Sequence, residues 1–385
     1  MKRRLSAVVG LLVAVALVPR SVVAQDKPLV LAHYMPWFSV ERGDKETKFG
    51  WHWTMGHFSP AKTVKGLPEI AARHHPAIGL YDSGDRHVIE YHLLTMKLAG
   101  IDGVIVDWYG QVDLYDYYTI HRNTTRVLEA CERLKMKFAI CYEDKTLTSL
   151  VKEGRVARGD RVTHAAGELN WLGKYWFKSG SYVRLSGKPL LLSFGESGLT
   201  DTEWSACLKQ LTTSIAWFSE HRQRPGADGA YDWPEPSLGL AMQTRFEAEA
   251  KNRKASIPVV YPRFDDMYAE AGVSKGYPVI PDNRGATFRE TLNRAIAMKP
   301  KVIQIATWND WGEGTDIEPS KQLGNRDLEV LRQSFNPKAN ANDLELPRLL
   351  LSRRRKSGSD QTKLNDIAQK IVVGDLAAAR RSLSY

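Results

Sequence analysis

Cysteine is scarce in this 385-residue chain. Cys131, Cys141 and Cys207 are all it has, so at most one disulfide can form and a disulfide-stapled scaffold is excluded. Buried free thiols are the expected state, since cysteine is among the residues most often buried. No CxxC and no HExxH pattern occurs, so neither a metal site nor another cofactor is expected. Long apolar runs are missing too. The run Leu5 to Val18 is short of the roughly 20 residues that span a bilayer. An excess of one charge is also missing from the body of the chain, despite a net charge of +10. Of the 54 Lys and Arg, four lie in residues 1–24 and nine in residues 347–385. Residues 25–346 are left with 41 basic and 41 acidic side chains. A neutral body has no general attraction for phosphate backbones, so nucleic acid is not the expected partner.

What is present starts with an export signal. Lys2, Arg3 and Arg4 precede the apolar run, and the small residues Val22 and Ala24 stand just before Gln25. This is the layout of a cleaved signal peptide over residues 1–24, with an uncleaved anchor as the other reading. No cysteine follows the run to take a lipid. The expectation is an exported chain, periplasmic or extracellular, with no integral membrane segment once the signal is removed.

Beyond it, short apolar runs alternate with helical spacing. Leu29 to Trp37, Gly103 to Trp108, Lys137 to Tyr142, Ser214 to Phe218, Ile257 to Tyr261 and Val302 to Trp308 read as strands, and Tyr182 to Phe194 as two strand segments joined by a turn at Ser186-Gly187-Lys188. Asp85 to Leu98, Tyr117 to Leu134, His164 to Phe177, Glu203 to Leu211 and Thr287 to Ala297 read as helices, and Gly100 is placed as a C-cap. Strands that are apolar throughout are buried on both faces, which means a parallel sheet covered by helices. A doubly wound sheet would favour a glycine-rich turn after its first strand, whereas His33-Tyr34-Met35-Pro36-Trp37 stands there. The expected fold is therefore α/β, a (β/α)8 TIM barrel over residues 25–346. Residues 347–385 read as a basic linker, centred on the exposed run Ser352 to Ser359, and a small helical extension.

In such a barrel the chemistry stands at the strand C-termini. Those ends hold Tyr34 and Trp37, then Asp107 and Trp108, then Glu143, and later Arg263, Trp308 and Asn309, while Trp233 lies in the loop before Ile257. His33 and His52 are within reach of the same end. Aromatic faces stack on sugar C–H surfaces and acids accept from sugar hydroxyls, so the mixture suits a neutral glycan or polysaccharide. Asp107 reads either as a sugar-hydroxyl acceptor or as the ion-pair partner of Arg263. The sharpest segment is Thr307 to Pro319, TWNDWGEGTDIEP. Asp310 and Glu313 are three apart, with Gly312 and Gly314 free to turn the backbone tightly between and after them. Glycoside hydrolysis uses such a pair, one acid protonating the leaving oxygen and the other assisting attack. Mutual repulsion and burial beside Trp308 and Trp311 are expected to raise one pKa. The competing reading makes these acids the start of a short helix.

The segments HYMPWF (33–38), VDWYG (106–110), YED (142–144) and TWNDWGEGTDIEP resemble the glycoside hydrolase family that contains the endo-α-mannosidases. They also resemble its sister endo-α-1,3-glucanase family, together the family 71/99-like grouping, over most of residues 28–320. The resemblance implies a retaining, endo-acting hydrolase of α-linked glycans. It makes Asp310 the group that assists the sugar's own 2-hydroxyl as internal nucleophile, and Glu313 the general acid/base. It matches Glu143 to a substrate-contacting acid and Tyr34, Trp37 and Trp108 to aromatic lining positions. The mannosidases usually carry Glu where this chain has Asp310, one methylene shorter. That departure keeps open an α-1,3-glucanase-like preference and a carbohydrate-binding barrel without catalysis.

Overall fold

The computed structural model describes residues 27–43 and 46–383, so the expected signal segment and cleavage site lie outside the described residues. Eight parallel strands carry the fold. They are β1 (Leu29–Tyr34), β2 (Gly103–Trp108), β3 (Lys137–Tyr142), β4 (Lys188–Ser193), β5 (Ala216–Glu220), β6 (Gly229–Tyr231), β7 (Ser256–Ile257 and Val259–Val260) and β8 (Val302–Ile305). Each pairs with the next, and β8 pairs with β1. Pro258 interrupts β7 because it has no N–H to give to the ladder. Ile257 still pairs with Tyr231 and Val259 with Gln304, so the ring closes as a (β/α)8 TIM barrel.

Helices α1 (Arg86–Ala99), α2 (Tyr117–Arg133), α3 (Arg161–Lys174), α4 (Asp201–Lys209), α5 (Leu240–Glu249), α6 (Ala286–Ala297) and α7 (Arg326–Phe335) surround it. Helix α1 shows why the chain folds here. Asp85 accepts from the His87 N–H at 2.8 Å as N-cap, and Gly100 ends the helix at φ 87°. The turn Ser186-Gly187, both at positive φ, joins the short strand Arg184–Leu185 to β4 as a hairpin. Residues 221–228, which include Pro225, join β5 to β6 without a helix. Helix α5 buries only Met242, Gln243 and Phe246, too sparse a stripe to announce itself.

Side chains alternate across each strand. Leu31, Ile105, Ala139, Cys141, Leu192 and Phe218 fill the barrel lumen. Their neighbours Val30, Ala32, Val104, Val106, Ile140 and Leu191 pack outward under the helices. All three cysteines are buried free thiols.

The run 352–359 is only in part the exposed linker that its composition suggests: residues 355–358 are exposed and outside any helix, and the start of the run is not. Residues 352–354 belong to α8 (Leu346–Arg354), and Arg354 is buried, its Nε 2.6 Å from Glu90 of α1. Arg133 of α2 reaches the same carboxylate at 2.8 Å. A charged side chain can be buried here because its partner is too. Helices α9 (Gln361–Val372) and α10 (Leu376–Leu383) add Leu364, Ile367, Ile371 and Leu383 to the outer apolar layer. Among the described residues, no helix is long and apolar enough to cross a membrane.

Candidate active site

Side-chain parity decides which strand-end residues reach the mouth. Asp107 shares the lumen face with Ile105, and Glu143 shares it with Ala139 and Cys141. Their neighbours face the other way. Tyr34 is fully buried in the outer layer, its hydroxyl 2.9 Å from His92 Nδ1 of α1. Trp108 is also in that layer, donating its indole N–H to His121 and packing edge-on against Trp176. Trp308 completes the group, fully buried with its ring 5.6 Å from His92. These three positions, read from the sequence as substrate lining, are core residues under the helices.

Two further expectations are corrected by partners. Arg263 does not meet Asp107. It is buried against Asp316, donating from Nη2 to the carboxylate at 2.8 Å and to the Asp316 carbonyl at 2.7 Å, with Asp282 and Asp327 each at 3.7 Å. Asn309 is wholly buried and holds the β1 loop instead of a ligand. Its Oδ1 accepts from Met35 N at 2.8 Å, and its Nδ2 donates to Met35 O at 3.0 Å. Trp37 and Trp233 keep positions at the C-terminal end of the barrel. Trp37 is half-buried and stacked on His52 at 4.3 Å, and Trp233 sets its edge against His33 at 4.6 Å. His33 points into the lumen and bonds Gln304 of β8 at 2.8 Å.

The loop after β8 is tied at its neck. Thr307 N donates to Thr315 O at 3.0 Å, their hydroxyls meet at 3.0 Å, and Asp310 N donates to Thr307 Oγ1 at 2.8 Å. Gly314 stands at φ 67° with its Cα side 2.8 Å, at a would-be Cβ, from the Asp265 carbonyl, so no larger residue fits. Asp310 Oδ1 accepts the Glu313 N–H at 3.0 Å. The cap that the helix-start reading foresaw is therefore made, on a turn that does not continue into a helix. Asp310 stays 6% exposed and Glu313 is half-buried, its Oε1 accepting from Tyr268 OH at 3.0 Å.

A clamp outside the cleft holds this turn. The buried Tyr81 hydroxyl accepts from Asn309 Nδ2 and Trp311 Nε1, each at 3.2 Å, and donates to Glu318 Oε2 at 2.8 Å. Both residues that flank Asp310 are thus fastened to one phenol. Glu318 is closed in turn by His92, 3.0 Å away.

Four carboxylates feel one another at the mouth. Burial, then Glu143, then Asp310 and Glu313 drive Asp107 well above the ordinary range, with Lys145 opposing. Its Oδ1 is buried with no hydrogen-bond partner among the described residues. Burial raises Glu143 to about 7 against the pull of Lys145, whose ammonium lies 3.2 Å away. Burial and the Glu313 charge raise Asp310 well above its usual value. Glu313 is raised by burial and drawn back by Tyr268 and Lys145. Burial opposes the charge on Lys145, yet Glu143, Asp107 and Glu313 together hold it above its normal range. Glu220, ending β5, is likewise pushed by burial to about 7. Glu143 and Glu220, at about 7, can hold protons near neutral pH, and the upward shift of Glu313 is in the direction that general acid catalysis requires.

Lys145, Tyr268, Tyr81 and Glu220 escaped the sequence reading. Lys145 directly follows the Glu143-Asp144 pair and was the one legible from position. Tyr81 meets Asn309 across 228 residues of chain, a distance no local pattern spans.

A family model described as glycosyltransferase WbsX matches residues 237–331, the part that contains Tyr268, Asp310 and Glu313. Over a longer stretch, about three quarters of its length, the chain is similar to endo-α-mannosidases. A glycoprotein endo-alpha-1,2-mannosidase-like protein of Danio rerio is 26% identical, over 74% of this chain and 69% of its own length. The Homo sapiens protein of the same description is 21% identical, over 74% of this chain and 64% of its own. The solved family GH99 endo-alpha-mannosidase of Bacteroides thetaiotaomicron superposes with a TM-score of 0.60. It has 18% identity and covers 83% of this chain and 98% of that one. That structure shares the barrel fold.

Proposed function

We propose that this chain is an exported, retaining, endo-acting glycoside hydrolase of α-linked glycans, with Glu313 as general acid/base and Asp310 as the group that activates the substrate's own 2-hydroxyl. The observation that carries the reading is the carboxylate cluster itself: Asp107, Glu143, Asp310 and Glu313 raised together at the C-terminal mouth of a barrel, beside a single lysine. A protein keeps four buried acids together beside one lysine at a cost, and perturbed groups of this kind gather at functional sites. Likeness to mannosidases supports an α-mannoside as substrate.

In the first step Asp310 takes the 2-hydroxyl proton and the freed oxygen attacks the anomeric carbon. The glycosidic bond breaks as Glu313 gives its proton to the leaving oxygen. In the second step Glu313 takes a proton from water, water attacks the anomeric carbon, and the 2-oxygen recovers its proton from Asp310. Two inversions leave the configuration retained. The Asp107 Oδ1 lone pair would accept a sugar hydroxyl, and Trp37 and Trp233 offer ring faces or edges to the sugar body.

The test is release of reducing ends from α-1,2-, α-1,3- and α-1,6-linked mannans and from α-1,3-glucan, by the parent chain and by Asp310→Asn and Glu313→Gln. The reading expects release by the parent alone, with the α-anomer formed first by NMR. Full activity in either variant would refute the assignment, and binding without release across the panel would favour a non-catalytic barrel. The family description of residues 237–331 motivates a second reading, glycosyl transfer. Consumption of a nucleotide sugar that depends on an acceptor glycan would establish it in place of hydrolysis.

A further inference from the structure

The opposite end of the barrel has a hollow of its own. A cavity of about 490 Å³ opens at the N-terminal ends of β4, β5, β7 and β8. Ala216, Phe218, Ile257 and Val302 give it an apolar floor, and all four are buried lumen residues. Its rim is basic: Lys188, Arg253, Lys254 and Lys301 against Asp228 alone.

The fixed pairs account for only part of that charge. Asp228 is engaged by Lys188 at 3.3 Å and by the Trp217 N–H at 3.3 Å. Arg253 is spent on Glu249 at 2.7 Å and on the carbonyls of Phe246 and His221. Lys254 and Lys301 are exposed and form no ion pair among the described residues. Between them in the lining, the Ser256 hydroxyl oxygen is itself buried and has no hydrogen-bond partner among the described residues. Two spare cations and a spare hydroxyl donor above a hydrocarbon floor make an amphiphilic site of one sign. Its volume lies within the roughly 300–1,000 Å³ of small-molecule pockets.

We propose that this cavity binds a small organic anion with an apolar body. The carboxylate lies toward Lys254, Lys301 and Ser256 Oγ, and the hydrocarbon lies against Phe218, Ile257, Val302 and Met298. A neutral sugar would leave both ammonium groups unpaired and would set hydroxyls against the floor, where they find no partner. Acetate would use the cations and leave the floor empty of contacts. The site stands apart from the glycan reading, since it uses none of the residues at the barrel mouth.

Titration calorimetry on the full chain tests it with three probes: hexanoate, acetate and hexan-1-ol. The expected result is saturable one-site binding of hexanoate, with acetate and hexan-1-ol each about tenfold weaker or worse, because each lacks one half of the recognition. The Lys254→Gln/Lys301→Gln chain should bind hexanoate about tenfold more weakly with an unchanged unfolding midpoint, because both side chains are exposed and unpaired. Ser256→Ala should weaken it by a smaller factor. The proposal is overturned if hexanoate shows no saturable binding, if the double variant binds it as well as the parent, or if mannose oligosaccharides displace it.

Discussion

Asp310 and Asp316 lie on one loop and meet opposite electrostatic surroundings. Asp316 is fully enclosed, and burial alone would raise it, yet Arg263 at 2.8 Å and His74 at 3.6 Å hold it below the usual carboxylate range. Asp310 is enclosed to nearly the same degree and has no such cation in contact. Burial and Glu313 push it up, and a backbone N–H is its main relief. One loop therefore carries two kinds of acid. Where the countercharge is supplied, the acid becomes part of the framework. Where it is withheld, the acid keeps a proton-binding capacity that can be used. Arg263, with Asp282 and Asp327 close by, is the device that separates the two.

Breaking the reactive side should give the largest effect. Glu313→Gln removes the proton donor and is expected to lower turnover about 10²–10⁴-fold, with the unfolding midpoint little changed. Asp310→Asn should act similarly, and kinetics on α-mannan checks both. Breaking the framework side should do the reverse. Arg263→Ala leaves Asp316, Asp282 and Asp327 without their shared cation, and a loss of about 3–5 kcal/mol in denaturant unfolding is expected. The two kinds of acid should also give opposite pH slopes. Asp316 has a lowered folded pKa, so its stabilisation is present above the unfolded value near 3.8 and is lost as pH falls. Glu220 has a raised one, about 7 against 4.5, so the folded state binds the extra proton and stability falls as pH rises between those values. Glu220→Gln should therefore flatten the decline of the unfolding midpoint between pH 4.5 and 7, a span worth on the order of 3 kcal/mol. A smaller effect is expected from Tyr81→Phe. It removes the acceptor for Asn309 and Trp311 and the donor to Glu318, at about 1–3 kcal/mol. Because these residues flank Asp310, kcat should fall while KM holds. If KM rose and kcat held, Tyr81 would be shaping the cleft and not the turn.

The sequence showed the barrel well because buried parallel strands are apolar on both faces and therefore stand out, as VIQI and GVIVDW do. It showed less of β6 and α5, where three residues or a thin apolar stripe leave no period to read. At the site, it located the strand ends but not their faces. Tyr34, Trp108 and Trp308 sit next to functional positions in the chain and on the wrong side of the wall, and a one-residue change of parity is all that separates Trp108 from Asp107. Arg263 was placed at the mouth because it follows the Ile257 to Tyr261 strand, and Asp316 holds it elsewhere. Tyr268 and Tyr81 depend on long-range meetings with Glu313 and Asn309, which only the closed fold brings about.

The central claim is that Asp310 and Glu313, with no cation in contact at the barrel mouth, do their work on a glycan. The most direct measurement is a crystal structure of the Glu313→Gln chain with an α-linked mannose oligosaccharide. The account predicts the chain of sugars lying across the C-terminal mouth, the residue-313 amide bonded to a glycosidic oxygen and the Asp310 carboxylate to the neighbouring 2-hydroxyl. A sugar seated anywhere else, or one that left residue 313 and Asp310 untouched, would contradict it.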